Sequence, residues 1–268
     1  MFLRILTALV LIPAVLALVV YAGPWVLFVA LGLLGTLCLH EYFQLIRLME
    51  IRPLSWFGYP AFWVLLGLLE ARRLPAPALF AVILMTALLA AMWPRGSIRE
   101  RVLGAMVTTF GVSYLAFALH AALRVRFEFG ETAGLEWMVV LLAAVWAGDT
   151  AAMLGGKGFG RTPFSPRISP KKTIEGAAAG LLGSTAAALA LQRLLFRDLP
   201  PAHLLAAAAL VGIFGQLGDL AESLLKRAAG KKDSSNLVPG HGGVLDRIDS
   251  LLFAFPVLYL YLYCLYVI

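Results

Sequence analysis

Long runs of apolar residues, repeated along the whole chain, most constrain how this sequence can fold. Each run approaches the roughly 20 residues that an α-helix needs to cross the hydrocarbon core of a bilayer. The sequence predicts an all-α fold, a polytopic transmembrane helical bundle of about nine spans. The third run is short enough to be tilted, re-entrant or merged with its neighbour. Approximate bounds of the nine runs are 5–22, 25–43, 54–69, 77–93, 102–123, 135–154, 173–196, 202–225 and 251–268.

Composition excludes a soluble domain. Of the 268 residues, 61% are hydrophobic and 14% are charged, whereas soluble chains are about 45–50% apolar and about 25% charged. Cys38 and Cys264 both lie inside apolar runs, so we expect buried thiols rather than a disulfide or a metal clip. A second apolar run begins at Trp25, directly after the first. We therefore expect the first run to be a retained membrane anchor and not a cleaved signal.

Lysine and arginine are concentrated on one side of the predicted bundle. With nine spans, the N-terminus and the loops after the even-numbered spans carry 16 of the 22 basic residues, and the opposite side carries 6. Because cytoplasmic loops are enriched in Lys and Arg, we expect the N-terminus and both large basic loops to face the cytoplasm, as in the plasma membrane of a bacterium. The net charge of +7 indicates partners such as membrane lipids or phosphorylated substrates, and not nucleic acid.

Polar residues that could take part in catalysis lie mainly in the second half of the chain. Residues 1–134, with about five spans, contain few polar groups within those spans. Residues 135–268 contain acidic residues within predicted spans and two large basic loops. We therefore predict an N-terminal group of transmembrane helices and a C-terminal catalytic region. Glu41, beside His40 in the second run, is either interfacial or a distant partner of that region.

One polar stripe crosses the eighth run. Asp219, Glu222, Ser223 and Lys226 have the spacing i, i+3, i+4 and i+7, which places them on one side of a helix. An acidic residue inside a span costs roughly 2.5–3.5 kcal/mol, and two acids one turn apart repel each other. A helix end with snorkelling cations explains Lys226 and Arg227 but not Asp219. The stripe therefore indicates a bound cation.

Two further carboxylates stand where the last run begins. Asp246 and Asp249 are three residues apart, so they point the same way on a helix and could meet Asp219 from a neighbouring helix. Hard oxygen ligands of this kind suit Mg²⁺, which completes its shell with water and substrate phosphates. An alternative is an ordinary helix N-terminus with favourable acidic residues in its first turn. The sequence predicts a magnesium site formed by Asp219, Asp246 and Asp249.

A glycine-rich turn precedes these carboxylates. Gly242 and Gly243 allow a sharp bend whose backbone N–H groups could bind phosphate oxygens. His241 could donate a hydrogen bond to a phosphate or simply cap the turn, and both interpretations stay open.

The loop predicted over residues 155–172 is the second basic segment. It lacks the Gly-Lys-Ser/Thr ending of a Walker loop. Its last residues combine cations and hydroxyl groups at the start of a helix, a natural site for an anion. A merely basic loop that obeys the orientation rule is the alternative. The candidate anion-binding residues are Ser169, Lys171, Lys172 and Thr173.

Both segments resemble the phosphatidate cytidylyltransferases, also called CDP-diacylglycerol synthases. Residues 223–249 contain Ser-x-x-Lys-Arg, then Lys-Asp, then Pro-x-His-Gly-Gly-x-x-Asp-Arg-x-Asp. Residues 149–176 contain a similar block, from Asp-Thr through Ile-Ser-Pro-Lys-Lys-Thr-x-Glu-Gly. The resemblance adds further candidate substrate-binding residues, namely Asp149, Ser223, Lys232, Asp233 and Arg247.

This resemblance implies transfer of a cytidylyl group from CTP to phosphatidate, giving CDP-diacylglycerol and pyrophosphate. It also implies a homodimer and possibly a second cation beside Mg²⁺. The candidate catalytic residues are Asp219, Lys226, Arg227, Asp246 and Asp249. Two alternatives stay open: a CTP-dependent enzyme acting on another lipid, such as a polyprenol kinase or an ether-lipid cytidylyltransferase, and an ion-coupled transporter whose acids bind the coupling ion.

Overall fold

The computed structural model of the chain describes residues 2–196, 199–238 and 242–267, with side chains from residue 9 onward. Over these ranges it contains nine α-helices and one pair of short strands. The predicted all-α helical bundle is confirmed. The elements are α1 (Phe2–Tyr21), α2 (Pro24–Leu48), α3 (Ser55–Ala71), α4 (Ala76–Ala90), α5 (Ile98–Phe127), α6 (Glu131–Phe159), β1 (Pro163–Ser165), β2 (Ser169–Thr173), α7 (Ile174–Leu195), α8 (Pro201–Ala228) and α9 (Leu245–Tyr266).

Six of the described helices are long and apolar enough to cross a membrane, namely α2, α5, α6, α7, α8 and α9. The helices α3 and α4 are shorter, with 17 and 15 residues. The protein is therefore an integral membrane protein. Each predicted apolar run corresponds to a helix, but a total of nine spans stays a prediction.

The end of α6 corrects one expectation. This helix continues to Phe159, past the end predicted at residue 154, so the segment assigned to a loop from Gly155 begins as helix. A Cβ atom at Gly155 would overlap the Cβ atom of Ala179. The glycine thus permits a close approach of α6 and α7 and does not form a turn. The rest of the predicted loop contains the two short strands.

Contacts between residues divide the chain into two compact units. The first unit comprises residues 1–4, 25–120 and 225–247, and the second comprises residues 5–24, 121–224 and 248–268. The boundary predicted at residue 134 rests on where the polar residues lie in the sequence, whereas these two units are defined by contacts. The predicted boundary therefore stays a prediction.

Aromatic and leucine side chains from α2 and α3 form the core of the first unit. Phe43 and Phe62 are fully buried. The Phe43 ring meets the Tyr59 ring edge-on, with 5.6 Å between centroids. The Tyr42 hydroxyl donates to the Val107 carbonyl of α5 at 2.9 Å. These contacts fix the second half of α2, the part that carries Glu41.

Small residues bring α6 and α7 together in the second unit. The Ser184 hydroxyl donates to the Ala144 carbonyl at 2.8 Å, and a Cβ atom at Gly148 would overlap the same hydroxyl. At Gly180, an added Cβ atom would lie 3.0 Å from the Ala152 Cβ atom. Close packing of this kind is typical of membrane helices. It holds the start of α7 and the strand before it against α6.

Candidate active site

The two strands form an antiparallel hairpin that is tied to the start of α7. Its register pairs Pro163 with Thr173 and Ser165 with Ser169. The Glu175 carboxylate accepts hydrogen bonds from the Arg161 and Thr162 backbone N–H groups, each at 3.1 Å. It also accepts from the Thr162 hydroxyl at 2.9 Å. Because Glu175 lies in the first turn of α7, these bonds position the hairpin on the helix.

All four predicted anion-binding residues lie on the second strand of this hairpin, Ser169–Thr173. Thr173 is the N-cap of α7, and its hydroxyl oxygen accepts a hydrogen bond from the Gly176 N–H group at 3.1 Å. Ser169 is paired with Ser165 in the hairpin, and Lys171 is exposed. The capping bond thus uses the Gly176 N–H group as its donor and the Thr173 hydroxyl as its acceptor, so it takes one N–H donor of the helix start away from an anion.

Lys172 supplies a cation beside Asp219. Its ammonium nitrogen lies 2.8 Å from Asp219 Oδ2, and the two side chains are 29% and 36% exposed. The Ser223 hydroxyl lies 3.5 Å from the other carboxylate oxygen. The bound metal ion that the sequence predicts at this acid stays a prediction, and the cation beside Asp219 here is a lysine of the hairpin.

The helices that carry Asp219 and Asp249, α8 and α9, approach each other closely beside these residues. A Cβ atom at Gly218 would lie 2.5 Å from the Asp249 carbonyl oxygen, so the two backbones are in contact there. Asp249 Oδ1 accepts from the Ser250 N–H group at 2.7 Å. Two of the three predicted metal ligands thus belong to one part of the second unit.

Two other acids of the second unit differ in their surroundings. Glu222, part of the polar stripe, is only 3% exposed. Asp149 is exposed and lies ten residues before the end of α6. It therefore lies within this helix and not at its end.

A buried ion pair lies at the centre of the first unit's polar cluster. Lys226 Nζ is 2.5 Å from Asp246 Oδ1, and the side chains are only 10% and 5% exposed. Asp246 Oδ2 accepts from the Ser234 N–H group at 2.9 Å, the Ser234 hydroxyl at 2.8 Å and the Gly243 N–H group at 2.8 Å. The carboxylate is therefore engaged by four protein donors, of which three orient it and the fourth is the Lys226 ammonium group that it holds.

Glu41 is the residue whose role could not be decided from the sequence. It has no exposed surface. Its carboxylate accepts from the Val244 and Leu245 N–H groups at 2.9 and 2.7 Å. It also accepts from the Ser234 and Ser235 hydroxyls at 3.0 and 2.5 Å. Glu41 thus binds the start of α9 and the segment before it, so it is a partner of the site and not an interfacial residue.

Ser234 connects the two carboxylates. Its hydroxyl oxygen lies within hydrogen-bonding distance of both Glu41 and Asp246. A hydroxyl group carries a single hydrogen, so this hydrogen is shared between the two acids. The result is a continuous polar chain from Glu41 through Ser234 and Asp246 to Lys226.

Both glycines before α9 are required, Gly242 by its backbone conformation and Gly243 by the side chains that lie against it. Gly242 has a φ of +82°, a conformation that favours glycine. A Cβ atom at Gly243 would overlap the Ser234 hydroxyl and lie 2.6 Å from Glu41 Oε2. The Gly243 N–H group, predicted to bind phosphate, donates to Asp246. His241 lies outside the described residues, so its predicted role is not decided.

The other predicted residues of the first unit are exposed. The Arg227 guanidinium donates to the Lys231 carbonyl at 3.3 Å. The side chains of Lys232, Asp233 and Arg247 are exposed to solvent, where they are available to a ligand.

The metal site is not assembled by the described residues. No group of three or more His, Cys, Asp or Glu residues in this part of the chain is arranged to hold a metal ion. Asp219 and Asp249 supply hard oxygen donors that fit Mg²⁺. A ligand role for Asp246 would require its carboxylate to exchange Lys226 for the metal. The Mg²⁺ site, and the second cation, stay predictions.

Comparison with known proteins identifies the family. The Cytidylyltransferase family matches residues 2–265. The chain is 35% identical to "Uncharacterized protein YnbB" of Escherichia coli (strain K12) over 254 residues, which cover 92% of this chain and 83% of that protein.

Similar proteins also include named enzymes. The chain is 38% identical to "Phosphatidate cytidylyltransferase" of Bacillus subtilis (strain 168) over 56% of its own length and 55% of that protein. It is 44% identical to the protein of the same name in Staphylococcus aureus (strain COL), over 47% of this chain and 48% of that protein. The chain thus spans about half the length of these two relatives. With its family match extending over nearly all residues, the chain belongs to the Cytidylyltransferase family.

Proposed function

We propose that this protein is a phosphatidate cytidylyltransferase that converts CTP and phosphatidate to CDP-diacylglycerol and pyrophosphate. Membership of the Cytidylyltransferase family supports this proposal, as do the similarities to the Bacillus and Staphylococcus enzymes. The helices of an integral membrane protein suit a substrate whose acyl chains remain in the bilayer.

The observation that carries the proposal is the buried pair of Lys226 and Asp246. An ammonium group is held there by a carboxylate that three other protein donors orient. A preorganised cation of this kind is what a transferring phosphoryl group requires, because charge stabilisation inside a poorly hydrated site needs no rearrangement during the reaction. The pair lies within the segment 223–249 that resembles the family pattern.

The reaction itself needs little acid–base chemistry. A phosphate oxygen of phosphatidate forms a new bond to the α-phosphorus of CTP. The bond from this phosphorus to the oxygen that bridges the α- and β-phosphates breaks, and pyrophosphate leaves. The nucleophile is already anionic, so no general base is required. Positioning of the phosphates and neutralisation of their charge are sufficient.

Each candidate residue has a role in this scheme. Lys226, held by Asp246, offsets the charge that develops on the departing pyrophosphate. Arg227, which is exposed in the same unit, adds a second positive charge for this purpose. Lys171 and Lys172 offset charge on a substrate phosphate. Thr173 and Glu175 position these lysines, because they fix the hairpin on α7.

A magnesium ion, when bound, would withdraw charge from the triphosphate oxygens. Asp219 and Asp249 are the residues whose oxygen atoms suit it best, and Asp246 would join them only on release of Lys226. We further propose that the N-terminus and the site face the cytoplasm of a bacterial plasma membrane, where CTP is available. The homodimer implied by the resemblance stays a prediction.

The proposal is tested by finding which phosphorus atom of CTP is transferred to the lipid. Purified protein in detergent is incubated with Mg²⁺, phosphatidate and CTP labelled with ³²P at either the α- or the γ-position. We expect the α-label in the lipid fraction and the γ-label in pyrophosphate.

Transfer of the γ-label to lipid would instead identify a CTP-dependent kinase. If no label from either position reached phosphatidate, polyprenol or an ether lipid, the enzymatic proposal would be rejected and a transporter would be favoured. Lys226→Gln provides a negative control that removes the buried cation, and thermal unfolding must first show that this variant is folded, because breaking one partner of a buried pair is destabilising.

A further inference from the structure

A cleft of about 610 Å³ lies in the first unit between the end of α2 and the segment after α8. This volume falls within the roughly 300–1,000 Å³ of small-molecule sites. The function proposed above does not involve the α2 side of the cleft. Residues that line it include Gln44, Arg47, Lys231, Lys232, Asp233 and Ser234.

Positive charge dominates the cleft. Arg47, Lys231 and Lys232 line it together with one carboxylate, Asp233. In the described part of the chain, no carboxylate forms an ion pair with any of these three cations. A cleft lined mainly by one sign of charge concentrates ligands of the opposite sign. This cleft therefore attracts anions.

The walls of the cleft are fixed by hydrogen bonds. The Arg47 guanidinium donates to the Ser55 hydroxyl at 2.6 Å. On the opposite wall, the Ser234 and Ser235 hydroxyls donate to Glu41, one turn before the α2 residues that line the cleft. The Lys231 N–H group donates to the Lys226 carbonyl at 2.8 Å. The basic residues are thus carried by anchored backbone on both sides.

The cleft is continuous with the buried ion pair. Ser234 lines the cleft, and its hydroxyl lies 2.8 Å from Asp246 Oδ2. Asp246 in turn holds Lys226 at 2.5 Å. An anion in the cleft is therefore separated from the cation proposed to act in catalysis by a single serine and its carboxylate partner.

We propose that this cleft binds the triphosphate of the nucleotide substrate, with Arg47 and Lys232 as direct phosphate ligands. The assignment rests on the proposed function. Arginine presents a planar fork of donors that matches phosphate oxygens. A lipid phosphate has the same chemistry but fewer negative charges, and three cations match a triphosphate better. Gln44 adds a neutral polar group on the α2 wall.

Kinetics of substituted proteins test the assignment. Arg47→Gln and Lys232→Gln each remove one cation of the cleft. Arg52→Gln is the matched control, because Arg52 is exposed and lies outside the cleft. We expect KM for CTP to rise about tenfold in each cleft variant, in keeping with the loss of a charged hydrogen bond. We expect KM for phosphatidate to change less than about twofold, and the control to match the wild type in both values.

Direct binding separates this assignment from the proposed function. Labelled CTP is titrated onto the purified protein without lipid, and thermal unfolding confirms that each variant is folded. Weaker CTP binding by both cleft variants supports the assignment even if no transfer to lipid occurs. Unchanged CTP binding, or a rise of KM for phosphatidate alone, overturns it while leaving the transferase reaction intact. Lys232→Gln keeps the test decisive if Arg47→Gln unfolds through loss of its bond to Ser55.

Discussion

At the scale of single residues, the pair of Lys226 and Asp246 is both buried and fully hydrogen-bonded. Removing one partner of a buried pair leaves an uncompensated charge and costs about 3–5 kcal/mol, whereas replacing both with apolar residues is often neutral. A pair that served only stability would therefore be replaceable. A pair that served catalysis would not.

This difference gives the first prediction. Lys226→Met and Asp246→Leu should each lower the free energy of unfolding by about 3–5 kcal/mol. The double variant should recover only the part that comes from the unpaired charge, because leucine leaves the Ser234 and Gly243 N–H groups without their acceptor. Cytidylyl transfer should be lost in all three, since the positioned cation is missing. Denaturant unfolding in detergent and the lipid-label assay provide the two measurements.

A double variant that regained both stability and turnover would contradict a catalytic role. The milder Asp246→Asn offers a second check. If it kept more than about a tenth of the wild-type rate, a loss of only about 1.4 kcal/mol, Asp246 would have no essential part in the reaction.

Glu41 illustrates what the sequence could not predict at this scale. Its bonds to Ser234, Val244 and Leu245 join residues that are 193 to 204 positions apart. No local sequence pattern predicts a contact between residues so far apart in the chain. The unusual presence of an acid in an apolar helix signals that a partner exists, but it does not indicate which one. Asp219 is similar, because its need for a cation was predictable and its pairing with Lys172 was not.

At the scale of secondary-structure elements, α6 and α7 pack through small residues along most of their contact. Two glycines of α6 differ in their surroundings. A Cβ atom at Gly155 would overlap Ala179 on α7, whereas a Cβ atom at Gly158 would meet no atom within 4 Å. The same substitution should therefore have opposite effects at positions less than one turn apart.

We predict that Gly158→Ala leaves stability unchanged or raises it by up to about 1 kcal/mol, as expected from helix propensity. Gly155→Ala should lower the unfolding temperature, because α6 and α7 must separate to admit the methyl group. It should also weaken transfer activity, since α7 carries the hairpin with Lys172. Melting curves in detergent compare the two proteins directly. Equal melting temperatures would show that close packing at Gly155 is unimportant.

The elements differ in how well the sequence predicts them. The helices follow from apolar runs, which are a strong and local signal. Helix ends are less predictable because a glycine serves equally in a turn and in close helix packing, as Gly155 shows. The hairpin was not predicted. Its strands have only 3 and 5 residues, and Glu175, which follows them in the chain, fastens it to α7.

At the scale of the whole molecule, the two polar clusters belong to different compact units. Lys226, Asp246 and Glu41 lie in the first unit, and Lys172 and Asp219 lie in the second. The segments nevertheless share one property in the sequence, since the two loops beside them contain 10 of the 22 basic residues. Bilayers sort such loops to the cytoplasmic side. Membrane orientation is therefore the property by which both clusters can be tested together.

The orientation prediction uses single cysteines in a protein whose Cys38 and Cys264 have been replaced by alanine. Phe159 follows the sixth predicted span and is 76% exposed, so Phe159→Cys should react with an impermeant maleimide only after the membrane is opened. Arg73 lies in the exposed connection between α3 and α4, and Arg73→Cys should react in intact cells. Of the 22 basic residues, 16 lie on the side assigned to Phe159, an excess that the positive-inside rule places in the cytoplasm. Reversed labelling would put the basic clusters outside, where CTP is absent, and labelling of both positions from one side would overturn the assignment of nine spans.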